Sequence, residues 1–214
     1  MTKRVLLLLA DGFEPLEAAG FTDVFGWANI DGDEPIELVA VGTANPLTPT
    51  FGCRVIPDAH IGNVDPGGFD AVAIPGGFAK AGYYDHALSE PFQAVLRAFA
   101  GRDRPVASVC VASIPLGAAG LLAGRRATVY HQVGGTRRAE LEAHGAQFVD
   151  EAVVIDGNII TSTGPGTAIE VALALLAMLT SKANADNVRH AMRVPQTNQA
   201  WLKTAQVVDT KEML

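Results

Sequence analysis

The chain has 214 residues, 49% of them hydrophobic, with 22 glycines and a formal net charge of −7. A chain of that length suits one domain that buries roughly 70% of its unfolded surface without help from disulfides or metal, and the composition excludes a disordered protein. Its 16 basic residues face 23 acidic ones, and no basic cluster exceeds the pairs Arg125-Arg126 and Arg137-Arg138, which argues against nucleic acid or an anionic membrane as partner.

The opening MTKRVLLLLADG holds an apolar run of about five residues, far short of the 18 or so of a membrane span, and no small-residue cleavage site follows. It is therefore expected to be a strand and not a signal peptide. Arg4–Ala10 forms that strand, and Asp11-Gly12 turns the chain into a helix over Glu14–Asn29, whose Leu16, Phe21, Val24 and Phe25 share one face. Ile36–Gly42 is the next strand, and Phe69–Gly77 another, closed by Pro75-Gly76-Gly77. An amphipathic helix over Glu90–Gly101 precedes a strand over Pro105–Cys110 and a helix over Ser113–Gly124. Glu151–Ser162 reads as a hairpin around Asp156-Gly157, and Gly166–Ser181 as a long apolar helix.

This alternation predicts an α/β fold, a mostly parallel central sheet with helices on both faces. The main domain is expected over 1–182, with a C-terminal helix and tail over 183–214. The tail after Val194 loses the pattern, and its Trp201, Leu202 and Val207-Val208 suit an arm that docks on a dimer partner. The two cysteines, Cys53 and Cys110, make no disulfide framework, which suits a reducing cytoplasm; a bridge between them stays open from the sequence.

Functional groups of open α/β sheets gather where strands end, and four groups meet that rule here. Cys110 stands between a strand and a helix, in the manner of a nucleophile elbow, where the helix's amino end favours a thiolate. Glu14 and Glu17 follow the first strand at a spacing that puts both carboxylates on one helix face, within reach of a proton-sharing role. Gly76-Gly77 permit close backbone approach and positive φ, as an oxyanion-binding loop needs. His131, alone among five histidines, directly follows an expected strand and could deprotonate a thiol. Each has a plain structural alternative: a small buried hydrophobe for the thiol, a solvated first turn for the glutamates, a simple turn for the glycines, a hydrogen-bonded residue for the histidine. Cys53 lies in no comparable turn. No Cys-x-x-Cys, His-x-x-x-His, P-loop or GxGxxG occurs, so neither metal nor cofactor is expected.

Together, ADGFEPLE, DAVAIPGG, SVCVAS and ITSTGPGTAIEVALALL resemble motifs of the ThiJ/PfpI superfamily, from about Lys3 to Ser181. The resemblance implies a flavodoxin-like three-layer sandwich and a homodimer. It implies that Cys110 is the reactive cysteine and Glu17 its partner, with His131 nearby. Gly76, Gly77 and the Val111 amide would bind an oxyanion, and Glu14 and Ser113 complete the substrate-binding set. The elbow departs from the usual Cys-Ala-Gly or Cys-Thr-Gly, reading Cys110-Val111-Ala112-Ser113, and the branched Val111 narrows the pocket. No downstream His-x-Glu pair supports amidotransfer. The leading expectation is a cysteine-dependent hydrolase or lyase acting on a small reactive carbonyl compound, of glyoxalase III or deglycase type. The alternatives are an isonitrile hydratase and a redox sensor or chaperone that works through Cys110 oxidation.

Overall fold

The computed structural model describes residues 2–100 and 103–203. Its centre is a seven-stranded sheet. The strands are β1 (Lys3–Leu9), β2 (Ile36–Gly42), β3 (Ala59–His60), β4 (Ala71–Ile74), β5 (Val106–Ser108), β8 (Val153–Asp156) and β9 (Ile159–Ser162), in the order β3-β2-β1-β4-β5-β9-β8. All neighbours are parallel except β8 and β9, which form the expected hairpin. A separate parallel pair joins β6 (Arg126–Ala127) to β7 (Gln147–Phe148). The fully buried run Val5–Leu9 explains why β1 is central: residues covered on both faces need no polar alternation.

From β1 the chain steps to β2 on one side, whereas β4 steps to β5 on the other. Right-handed crossovers then place the connecting helices α1 (Pro15–Asp31) and α3 (Glu90–Phe99) on opposite faces. α6 (Ala168–Leu179) and α7 (Lys182–Ala191) pack with α1. The short α2 (Tyr83–Ala87), α4 (Ser113–Ala118) and α5 (Arg137–Ala143) pack in series with α3. Strand order reverses between β1 and β4, the crevice where open sheets of this kind take ligands.

Local chemistry sets the helix that matters most. Pro15 opens α1, and Glu14 caps it, Oε2 accepting from the Glu17 amide at 2.8 Å. Ala18, Phe21, Val24, Phe25 and Ala28 bury one face. Gly20 lets α6 come close, because a Cβ there would lie 2.7 Å from that of Ala168.

Two boundaries beside the site differ from expectation. β5 stops at Ser108 rather than Cys110, and residues Cys110–Ala112 form a 3-10 turn. α4 ends at Ala118, because Gly120 takes a left-handed φ of 84° and turns the chain well before Gly124. The tail through Lys203 folds onto its own chain. Arg189 pairs with Glu170 at 2.6 Å and donates to the Pro195 carbonyl, and Ala152 donates to the Leu202 carbonyl at 3.0 Å within the turn of α8 (Gln199–Leu202). Val207-Val208 and the rest of 204–214 lie outside the described residues. Among the described residues, no helix is long and apolar enough to cross a membrane.

Candidate active site

Three strand ends meet at the crevice. The loop after β1 leads into Glu17, the loop after β4 carries Gly76 and Gly77, and the turn after β5 carries Cys110. Cys110 adopts φ 60°, a left-handed conformation that costs a non-glycine residue about 1–3 kcal/mol and is found where a fold over-determines it. Here the over-determination is visible: Val109 donates to the Ile74 carbonyl at 3.1 Å on one side, and Tyr130 donates to the Cys110 carbonyl at 3.2 Å on the other. Both bonds hold the backbone of the elbow in place.

Glu17 is wholly buried beneath this elbow. The Gly76 amide donates to its Oε2 at 2.6 Å. Oε1 is buried with no well-aligned donor among the described residues, and the Cys110 thiol lies against the carboxyl. Burial raises the Glu17 pKa to about 8, against the pull of the Gly76 amide and the thiol and with help from the nearby charge of Glu14. Burial likewise pushes the Cys110 thiol well up, and Glu17's charge adds to that; the Val111 amide, which donates to the sulfur, works the other way. The two groups therefore resist ionising together. Burial of the sulfur and the brevity of α4, with only six residues to offer as a dipole, work against a standing thiolate and favour the shared proton that the sequence also suggested. With one proton between them, the thiol proton aimed at Oε1 of an ionised Glu17 is the arrangement that satisfies the orphan oxygen and agrees with the higher pKa of the thiol.

The two glycines have distinct roles. Neither takes a positive φ; both are required for space. A Cβ on Gly76 would sit 3.0 Å from Cys110 Cβ, Glu17 Oε2 and the Val109 carbonyl, and one on Gly77 2.5 Å from the Tyr83 ring. The Gly76 amide is committed to Glu17 and is not a free oxyanion donor. Gly77 faces Phe13 in an antiparallel bridge whose hydrogen bonds come from flanking residues, Glu14 to the Gly76 carbonyl and Phe78 to the Gly12 carbonyl. That leaves the Gly77 N–H unused by the described residues, at the cavity wall. Tyr83, which sequence reasoning missed, is fully buried and donates to the Pro75 carbonyl at 2.9 Å, pinning the loop. Its aromatic position in a short polar helix gave no hint of that task.

Above Cys110 opens a cavity of about 280 Å³, walled by Gly77, Phe78, Val111, Tyr130, Arg137 and Pro165 among others. Its surface is chiefly apolar, as small-molecule sites are. A larger pocket of about 380 Å³ lies at the opposite ends of β5 and β9 and contains no nucleophile.

Three expected residues stand apart from this cavity. His131 does not line it: its Nδ1 contacts the Val129 carbonyl at 2.9 Å, its Nε2 lies 3.1 Å from Asp150, and its ring meets Phe148 edge-on. Its neighbour Tyr130 faces the cavity instead. Ser113 is buried and donates to the Thr128 carbonyl at 2.7 Å, tying α4 to the neighbouring segment. Glu14 is the cap of α1 and acts on the site through Glu17. Cys53 is exposed and Cys110 buried, both as free thiols. Among the described residues, no group of three or more His, Cys, Asp or Glu side chains could hold a metal ion.

Residues 3–178 match the family model described as DJ-1/PfpI family. The chain is 33% identical to Deglycase TK1284 of Thermococcus kodakarensis over 163 residues, which is 76% of this chain and 91% of that protein. It is 31% identical to Protein DJ-1 homolog A of Arabidopsis thaliana over 87% of this chain but only 45% of that protein, so it spans less than half of this plant relative. Among solved structures, DJ-1beta of Drosophila melanogaster aligns with a TM-score of 0.79 and 28% identity, covering 92% of this chain and all of that one.

Proposed function

The chain belongs to the DJ-1/PfpI family, and on that premise we propose that it is a cysteine-dependent hydrolase or lyase of small reactive carbonyl compounds, of the glyoxalase III or deglycase type. The observation that carries this reading is the buried Cys110–Glu17 pair beneath a small apolar cavity with an unused amide at its wall. The deglycase name of the Thermococcus relative supports the substrate class.

For a 2-oxoaldehyde the steps balance without an external oxidant. The sulfur of Cys110 bonds to the aldehyde carbon as its proton passes to the Glu17 carboxylate. The carbonyl oxygen becomes an oxyanion, held by the free Gly77 amide and by the Val111 amide, which turns to it from the sulfur once the sulfur is bonded to carbon. One such donor is worth roughly 3 kcal/mol in a transition state. Glu17 gives its proton to that oxyanion. Now a carboxylate, it takes the proton from the former aldehyde carbon and returns it to the neighbouring carbon. The hydroxyl proton meanwhile passes to the neighbour's oxygen, so the first carbon is oxidised as the second is reduced. Water cleaves the resulting thioester to a 2-hydroxy acid and restores the thiol. Glu17 is the acid–base group placed against the sulfur, so it takes the shuttle role that the sequence also offered to His131.

A homodimer goes with this proposal. It is supported by exposed Leu16, Phe51 and Ile56, apolar side chains on the first turn of α1 and on the loop that bonds to Phe13. The test of the reaction is lactate formation from methylglyoxal by the parent protein and by Cys110→Ala. Loss of lactate in a folded variant supports the reading; equal lactate from both rejects it.

A further inference from the structure

Among the described residues, Arg137 is the single charged side chain on the wall of the cavity above Cys110. Its position is not explained by the helix it begins. A cation in the first turn of α5 opposes the helix dipole, where an acidic residue would be favoured. Its companion Arg138 is otherwise occupied, pairing with Glu142 at 3.0 Å and lying over the Phe148 ring.

The guanidinium of Arg137 is held from one side. Its carbon lies 5.0 Å from the centre of the Tyr84 ring, Nη1 donates to the Tyr84 hydroxyl, and Glu140 approaches Nε at 3.9 Å. Nη2 has no hydrogen-bond partner among the described residues. The Tyr84 platform fixes the rotamer in advance, so little side-chain entropy is lost when a ligand binds. The surrounding walls, Phe78, Val111 and Pro165, are poor in polar groups, which strengthens the remaining charge. On a chain of net charge −7, such a spot is where an anionic small molecule gains most from local attraction.

We propose that Arg137 sets substrate choice, by gripping a carboxylate or phosphate at the end of the substrate away from the carbon that reacts with Cys110. This rests on the carbonyl chemistry proposed above, and it narrows the substrate class to anionic carbonyl compounds.

Alkylation of Cys110 tests Arg137 without any turnover. Iodoacetate and iodoacetamide are nearly the same size and differ in charge; in both, the sulfur displaces iodide and the thiol proton leaves to solvent. The ratio of their rates at Cys110, read by peptide mass spectrometry and referred to N-acetylcysteine, is expected to favour iodoacetate by about tenfold in the parent, the worth of one charged hydrogen bond. Arg137→Gln should abolish that preference and Arg137→Lys should keep part of it. A ratio that is the same in the parent and Arg137→Gln would overturn the assignment.

A second arm compares kcat/KM for 4,5-dioxopentanoate and 2-oxo-3-phosphopropanal with that for methylglyoxal, which separates carboxylate from phosphate. Preference for either anion, lost in Arg137→Gln, supports the proposal, and equal use of all three overturns it. If no carbonyl compound is turned over but the alkylation ratio still depends on Arg137, the reaction fails while the anion site stands. If carbonyl compounds are turned over but the ratio ignores Arg137, the anion site fails while the reaction stands.

Discussion

The Gly76 amide donates to Glu17 Oε2 at 2.6 Å, joining the loop after β4 to the helix after β1 directly beneath Cys110. Among the described residues, that bond is the backbone donor offered to a carboxyl otherwise sealed from water, so Glu17 is both a structural tie and a buried acid. Its pKa rises from 4.5 in the open chain to about 8 in the fold. A raised folded value means that the native state binds the proton more tightly than the unfolded state. The contribution is fully present below pH 4.5 and fades as pH climbs through about 8. At about 1.4 kcal/mol per unit, the loss is on the order of 5 kcal/mol. Glu17→Gln, which keeps the acceptor for Gly76, is expected to flatten this slope and to be the more stable form at pH 9. Urea unfolding of both forms at pH 5 and pH 9 measures it, and parallel pH profiles would count against a buried acid.

The same titration shapes the rate. The reactive form of the pair carries one proton, so kcat/KM should rise with pH to a plateau as Glu17's pKa near 8 is passed. It should fall again once the second proton is lost from the buried pair. A profile already flat from pH 5 to pH 7 would indicate a thiolate that needs no shared proton.

Gly77→Ala should be damaging on two readouts. Its Cβ would press against the Tyr83 ring at 2.5 Å and against the Gly12 carbonyl. Crowding of this kind costs about 1–3 kcal/mol of stability. Moving the free amide should lower kcat/KM by about 10²–10³, the usual loss for one oxyanion donor. Gly76→Ala, whose Cβ meets its neighbours at 3.0 Å, is expected to be milder in both. Thermal unfolding and lactate kinetics on the two variants make the comparison.

His131→Ala separates a supporting residue from a reacting one. The ring's contacts go to Val129, Asp150 and Phe148. Removing it should cost about 1 kcal/mol of stability and leave kcat/KM within about threefold of the parent. A loss of a hundredfold or more would return His131 to the chemistry.

The sheet and its helices were legible because burial on both faces leaves apolar runs such as Val5–Leu9, and because Asp156-Gly157 marks its hairpin. The convergence of Glu17, Gly77 and Cys110 was legible too, since strand ends on one edge of a parallel sheet must meet. What lay hidden was direction and space. Consecutive residues in extended chain face opposite ways, so the segment that carries His131 turns Tyr130, and not the histidine, to the cavity wall. No residue type announces that Cys110 will take φ 60°, which is why the strand was drawn two residues too long. The glycines were read as offering both close backbone approach and positive φ; their neighbours call on the first, and neither takes the second. Tyr83 and Arg137 gave no sequence signal of their own, since each acts through a partner distant in the chain or through a cavity.

At the centre of the proposed chemistry, Glu17 moves a proton for Cys110 rather than merely holding the fold. Turnover of methylglyoxal by Glu17→Gln, set against the rate at which iodoacetamide alkylates Cys110 in the same variant, tests it most directly. A fall in kcat/KM of about 10²–10⁴, the usual worth of a positioned acid–base group, is expected while alkylation stays within about tenfold of the parent. Turnover that survives, or turnover and alkylation lost together, would contradict it.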